Sequence, residues 1–325
     1  MPIVRRRLLK LGAAALVASG TPCRANAQTY PNRPVRVIVT TGPGGQGDTI
    51  SRLLAQKLSE ALGQTFYVEN IGGAGGNIAH GTAARSAPDG YTILAAGGSF
   101  VTNPNLYAKN PYDPVKDFAP VSLVCSSPHV LAVHPSVPAR SVAELAALAR
   151  TSPGKYGYAS AGGGTPAHLA GELFKLALAV DLTHIPFKGG GPGIAATVAG
   201  HVPIAISALP TALTFVKGGS VRALAVMSGR RSPVLPDVPT MAEAGTPLEA
   251  DILTGLLVRS GTPREIVEHL HHAVVKAMAE PAFGQRLLEL GFEPVASTPE
   301  QFAEWIAVET VKWGKVIRDA HITLQ

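Results

Sequence analysis

The sequence predicts an α/β fold of two domains, and three observations carry that reading. The chain has 325 residues, which at about 150 per domain suggests two. Its 35 glycines, about 11% where ~7% is usual, gather in short clusters. Between the clusters, short β-branched runs alternate with amphipathic stretches of helical period. That alternation is the pattern of strands and helices in a mainly parallel sheet. No Gly-X-Y period exists, so the 27 prolines and the glycines do not build a collagen.

The first strand runs from Val35 to Val39, and the loop Thr41-Gly-Pro-Gly-Gly-Gln-Gly follows it. Asp48 then opens a helix to Leu62, with Ile50, Leu53, Leu54 and Leu58 at helical spacing. Phe66 to Val68 is a second strand, followed by Ile71-Gly-Gly-Ala-Gly-Gly and a helix from Asn77 to about Ser86. Pro88-Asp89-Gly90 turns into a strand from Tyr91 to Ala95. The middle of the chain repeats the theme. Lys155 to Ala159 is a strand, and Thr165 caps a helix that has Pro166 at its first position. Thr183 to Pro186 is a strand, and Lys188-Gly-Gly-Gly-Pro-Gly leads to a helix from Ile194. Pro203 to Ile206 and Val221 to Met227 are further strands. Two extended segments, Val121 to Val133 and Ile252 to Val258, flank this region and are hinge candidates. The last third reads as helices from Pro263 to Ala279, Pro281 to Leu290 and Pro299 to Ala320.

The formal charge of +6 is misleading, because Arg5, Arg6, Arg7, Lys10 and Arg24 supply five of the 28 basic residues. Without the first 27 residues the balance is 23 basic against 22 acidic. That is no phosphate-tracking surface, so a nucleic-acid partner is not expected. The leading segment instead reads as an export signal. Arg5 to Arg7 precede the apolar run Leu8 to Ala18, and Ala25-Asn26-Ala27 is a small-x-small cleavage site. Arg5-Arg6-Arg7-Leu8-Leu9-Lys10 also fits a loose twin-arginine pattern, so both export routes stay open. The apolar run is shorter than the ~20 residues needed to span a bilayer. A periplasmic protein is the expectation. Removing the leader takes Cys23 with it and leaves Cys125 alone in an apolar stretch, a packed small hydrophobe rather than a nucleophile.

One motif invites a nicotinamide cofactor. Gly42-x-Gly44-x-x-Gly47 follows a strand and opens a helix, and Glu69 lies 22 residues after Gly47, the spacing of a dinucleotide fingerprint. Pro43 stiffens the turn, a second glycine loop crowds in after Glu69, and export places the protein away from such cofactors. A smaller anion uses the same physics more economically. Helix N-termini offer free N–H groups and a favourable dipole, and glycine allows close backbone approach. The loops at Gly44-Gly45, Gly75-Gly76, Gly163-Gly164 and Gly189-Gly190 all have this form. Any one is equally a tight turn; several at strand ends point to a shared cleft.

Catalytic constellations are weak, and no cofactor is expected. Ser160 has Tyr158 where a nucleophile elbow needs glycine, and Ser99 lacks the following glycine. His269, His271 and His272 read as a solvated helix face. No Cys/His spacing fits zinc. His168, in a first helical turn, reads equally as a cleft residue or a structural one. Trp305 and Trp313 read as packing residues of the last helix.

Several stretches, in order, then resemble the Bug family, the substrate-binding proteins of tripartite tricarboxylate transporters. They include Pro43-Gly-Gly-x-x-Asp48, Val68-Glu-Asn-x-x-Gly-Ala-Gly-Gly-Asn-Ile78, Pro88-Asp-Gly-Tyr-Thr92 and Pro111-Tyr-Asp-Pro-Val-Lys-Asp-Phe118. Gly164-Thr-x-x-His-Leu-Ala-Gly-Glu172, Pro186-Phe-Lys-Gly-Gly190, Val221-Arg-Ala-Leu-Ala-Val226 and Arg231-Ser-Pro-x-Leu-Pro-Asp-Val-Pro-Thr240 complete the set. The resemblance runs from about Tyr30 to the C-terminus. It implies a type II periplasmic-binding-protein fold, two α/β lobes around a ligand cleft joined by a hinge. The implied lobes are 28–125 plus 250–325, and 126–249. It implies a monomer that captures a small organic acid for membrane transporter subunits or for a sensor protein. It places one pincer at Thr41 to Gly45, including Gly44, with Asp48. A second pincer runs from Ser160 through Gly164 to Thr165, with Asn77, Phe187 and Ser207 as further wall residues. Two departures stand out. The family's usual Pro-Phe or Pro-Tyr is Thr40-Thr41 here, which exchanges an aromatic wall for a hydroxyl. An acidic residue common near Ser207 is missing, which favours a carboxylate without an amino group.

Overall fold

The computed structural model describes residues 30–319 and 322. The export segment over 1–27 lies outside the described residues. The chain divides into two units, Met1–Asn32 and Arg33–Gln325, and every element named below belongs to the second.

Three strands, β1 (Val35–Val39), β2 (Phe66–Asn70) and β3 (Thr92–Ala96), pair in parallel in the order β2-β1-β3. Helices α1 (Gln46–Leu62) and α2 (Asn77–Ala84) connect them, as the alternation predicts. A further helix, α3 (Ser99–Leu106), leads to β4 (Phe118–Val133). After α4 (Val142–Thr151) come β5 (Gly157–Ser160), α5 (Pro166–Leu178), β6 (Thr183–Pro186) and α6 (Gly190–Val198). Next follow β7 (Ile204–Ala208), α7 (Leu209–Lys217), β8 (Arg222–Val226) and β9 (Asp251–Arg259). The chain continues through α8 (Arg264–Met278), α9 (Pro281–Glu289), the short β10 (Glu293–Pro294) and α10 (Pro299–Asp319).

The sheet order is β2-β1-β3-β9-β4-β7-β5-β6, with β8 and β10 also on β4. The expectation of a mainly parallel sheet is corrected to a mixed one. Parallel pairs are confined to the flanks, β2-β1-β3 and β7-β5-β6. At the centre, β4 and β9 run antiparallel to their neighbours. The reason is connectivity: β4 and β9 carry the chain between the two halves instead of returning through a βαβ crossover. Along Phe118–Pro128, β4 pairs with Arg259–Asp251; along His129–Val133 it pairs with Ala208–Ile204. One strand therefore belongs to both halves, and the two extended segments read as hinge candidates are these two strands.

Each half has its own apolar core. Ile38, Leu94, Phe100, Leu257, Phe302, Ile306 and Trp313 fill the first, so the last helix closes the half that the N-terminal strands begin. There α8 packs on α1, and α10 on α3 and β4. Leu131, Val133, Tyr158, Phe174, Ile204 and Leu224 fill the second. Cys125 is fully buried, and burial pushes its thiol pKa up, in keeping with a packed hydrophobe.

Helices α3, α4 and α7 were not legible as elements. Pro104 sits inside α3 and cannot donate to the Phe100 carbonyl. The Tyr112 hydroxyl donates to that oxygen instead, at 2.8 Å, and its ring stacks on Phe100. For α4 a signal was present: Ser141 caps the helix by accepting from Glu144 N at 3.1 Å, the N-terminal half of a capping box. Elsewhere the boundaries move by a few residues. The helix expected from Ile194 starts at Gly190, and the one expected from Asp48 starts at Gln46.

Two wholly buried histidines make the fold acid-sensitive. His80 is packed edge-on against Phe100 and Tyr112, and burial holds its pKa down at about 3. Burial holds His129 at about 4, partly offset by a hydrogen bond to Ala250 O. Unfolding returns both to about 6.5, so the unfolded chain binds more protons below that pH. The ligand-free chain is expected to keep constant stability from these groups above pH 7. It should lose roughly 1.4 kcal/mol per pH unit per histidine as pH falls from about 6.5 towards 4. Denaturant melts across that range check this, and His80→Leu should flatten the slope.

Candidate functional site

A cleft of about 740 Å³ opens between the two halves, within the size range of small-molecule sites. Four helices begin on residues that line it: α1 at Gln46, α3 at Ser99, α5 at Pro166 and α6 at Gly190. None of the four has a side-chain cap. In α1, α5 and α6 the first-turn N–H groups, apart from the prolines Pro166 and Pro192, have no acceptor among the described residues. In α3, by contrast, Phe100 N and Val101 N donate back to Gly97 O and Gly98 O. The positive dipole ends of all four helices lie on this lining. Among the described residues, Lys188 is the one formally charged residue on the lining, and no Asp or Glu lies there. The cleft is thus a place where negative charge is favoured from several directions at once.

The loops of the two halves stand in contact across it. Thr102 Oγ1 donates to Gly164 O at 3.3 Å. A Cβ added to Gly42 would lie 3.3 Å from Lys188 O, and one on Gly75 3.2 Å from Gly163 O. Glycine is needed at Gly75 for its backbone as well, with φ at 61°.

On the first loop, Asp48 is 4% exposed and braces the turn. Its Oδ2 accepts from Gly44 N at 3.0 Å, and its Oδ1 accepts from Asn70 Nδ2 at 2.9 Å. Arg52 pairs with Oδ1 at 2.9 Å. Burial pushes the Asp48 pKa up, but hydrogen bonds from Arg52, Gly44 and Asn70 outweigh it and the net shift is downward. On the second loop, Gly164 N donates to His168 Nδ1 at 3.1 Å. The Thr165 hydroxyl turns back to Gly162 O at 2.7 Å rather than capping α5, as the sequence suggested. Behind this loop is a half-buried polar cluster. His168 stacks on His184 with centroids 3.9 Å apart, and His184 Nε2 lies 2.6 Å from Ser160 Oγ. Burial, with His168 adding to it, lowers the His184 pKa to about 4. Glu172 accepts from Tyr158 OH and pairs with Lys175, both at 2.8 Å.

The structure brings five of the ten named site residues onto the cleft wall: Thr41, Gly45, Thr165, Phe187 and Ser207. Asp48, Asn77, Ser160 and Gly164 lie behind the wall and shape the loops, while Gly44 is off the wall and exposed. Asn77 Oδ1, for instance, accepts from Asn103 Nδ2 at 2.8 Å. The wall also holds Gln46, His129, Lys188, Thr211 and Thr254, which the sequence reading did not single out. Thr41 Oγ1, Gln46 Oε1 and Thr211 Oγ1 are buried there without a partner among the described residues. Glu69, the ribose partner of the dinucleotide alternative, is off the wall and paired with Arg36 at 2.7 Å. Among the described residues no cluster of His, Cys, Asp and Glu could hold a metal ion. No described helix is long and apolar enough to cross a membrane.

Residues 50–322 match the profile of the tripartite tricarboxylate transporter family receptor. Protein BugT of Bordetella pertussis is 35% identical over 322 residues, covering 98% of this chain and 99% of BugT. The structure of the R. palustris protein Rpa4515 with adipate has a TM-score of 0.88 at 35% identity, over 90% of this chain and 99% of that one. The periplasmic binding protein BugD has a TM-score of 0.87 at 34% identity, over 91% of this chain and all of BugD. The fold is therefore that of the periplasmic binding proteins, and the dinucleotide alternative draws no support from any of these likenesses.

Proposed function

Because this chain belongs to the tripartite tricarboxylate transporter family of receptors, we propose that it is a periplasmic solute-binding protein whose cleft captures a small carboxylate-bearing ligand. The observation that carries this is the convergence of the open N-termini of α1, α5 and α6 and of Lys188 on one cleft that has no acidic side chain among the described residues. Backbone N–H groups at helix starts hold a carboxylate without needing a cation of their own. Lys188 adds a long-range attraction, since it forms no ion pair among the described residues.

The two lobes, 28–125 plus 250–325 and 126–249, swing about β4 and β9, and the ligand favours the closed state by touching both. Thr41, Gly45, Thr165, Phe187 and Ser207 contact the ligand in this reading. Gly44, Asp48, Asn77, Ser160 and Gly164 hold the contacting loops in shape. With no carboxylate on the wall to meet an ammonium, the ligand is an acid without an amino group. The adipate bound to the relative Rpa4515 is such an acid. The protein acts as a monomer and hands its ligand to membrane transporter subunits or a sensor protein; it catalyses no reaction of its own.

A thermal-shift screen of residues 28–325 against mono-, di- and tricarboxylates, amino acids, aromatic acids and NAD tests the reading. A ligand at 100 times its Kd adds about 2.7 kcal/mol, or several degrees in Tm. A shift with one class of acid supports the proposal, while a shift with NAD alone, or with amino acids over their deaminated analogues, contradicts it.

A further inference from the structure

Two side chains on the cleft wall restrict what the ligand carries besides its carboxylate. His129 sits on β4 where the strand passes from β9 to β7, and it is 1% exposed. Its Nδ1 lies 2.7 Å from Ala250 O. A carbonyl oxygen can only accept, so Nδ1 carries the proton. Burial holds the ring neutral down to about pH 4, which leaves Nε2 as an acceptor and nothing else. Gln46, 7% exposed at the start of α1, donates through Nε2 to Thr254 Oγ1 at 3.3 Å. Its Oε1 is buried without a partner among the described residues. The wall thus presents two neutral acceptors in a cleft whose one formal charge is positive. An unmatched buried acceptor is costly, and a donor on the ligand removes that cost. An ammonium would donate too, but it would meet Lys188 and four positive helix ends with no carboxylate to offset them.

We propose that the cleft selects a carboxylate that also bears a hydroxyl, with that hydroxyl donating to His129 Nε2 or Gln46 Oε1. The inference rests on the carboxylate reading above and narrows it.

Matched acids that differ by one hydroxyl test it: succinate and malate, propionate and lactate, adipate and 3-hydroxyadipate, benzoate and 4-hydroxybenzoate. Calorimetric Kd values on the mature chain should favour the hydroxylated member by about tenfold in at least one pair. That preference should fall to about threefold or less in His129→Phe or in Gln46→Met. An acid that binds without regard to the hydroxyl, or a preference unchanged in both variants, overturns this inference and leaves the carboxylate reading standing. If no acid in the panel binds, the carboxylate reading fails and this inference falls with it. A ligand-free check avoids the variants: the ¹⁵N spectrum of the His129 ring should show the neutral Nδ1–H tautomer at pH 7. An Nε2–H or charged ring there would overturn the assignment.

Discussion

Gly42→Val is expected to weaken ligand binding by tenfold or more while leaving the ligand-free fold intact. Gly42 lies on the first cleft loop, where an added Cβ would stand 3.3 Å from Lys188 O of the opposite half. Its φ is not in the left-handed region, so valine adds bulk without backbone strain. If the lobes part without ligand, as the hinge-closure proposal holds, the valine methyls press on the opposing backbone when the lobes are closed and are relieved when they open. Overpacking of a close contact costs about 1–3 kcal/mol, which here falls on the closed state alone and so reads out as affinity. Gly42→Ala should show a smaller loss in the same direction. Titration calorimetry with the best ligand, beside ligand-free melts, makes the check. Wild-type affinity in the valine variant would mean that these loops need not meet for binding.

The largest stability effect is expected at Gly255 on β9. A Cβ there would lie 2.2, 2.5 and 2.9 Å from Cζ, Cε1 and Cε2 of Phe302. The ring of α10 covers this glycine, and Phe302 is itself almost completely buried. Neither side can yield easily, because Gly255 is paired on both edges, with Ala96 and Leu123. Gly255→Ala should cost about 1–3 kcal/mol or more and lower Tm by several degrees. Phe302→Leu, destabilising alone, should recover part of that loss when combined with it, since residues in contact couple. Denaturant melts of the two single variants and the double would show it. Additive losses would mean that the ring does not carry the clash.

The glycine loops and the flanking strands were legible because each uses a short-range signal: β-branched runs, glycine clusters, and prolines at helix starts. The centre of the sheet was less so. Pro120 and Pro128 interrupt β4 as a pattern, yet the strand accepts the first beside a register shift and the second at its passage between halves. Helix α3 was hidden by Pro104, whose lost hydrogen bond is replaced by a tyrosine hydroxyl from a residue eight positions on. The site split in a similar way. Sequence located both pincer loops but could not tell which N–H groups they keep. Gly44 and Gly164 spend theirs on Asp48 and His168. In the sequence Gln46 falls within a glycine loop and His129 within an extended run. Only tertiary structure turns either of them toward the cleft.

In the proposed function the helix N-termini hold the ligand's carboxylate. Titrating the mature chain with its best acid and with the corresponding carboxamide tests that claim directly. The amide keeps the shape and loses the charge, so each charge-assisted hydrogen bond weakens by about half. The amide is expected to bind at least a hundredfold more weakly, with the acid's affinity constant from pH 8 to about 6.5 and falling as the ligand's own carboxyl protonates below that. Equal affinity for acid and amide would contradict the claim.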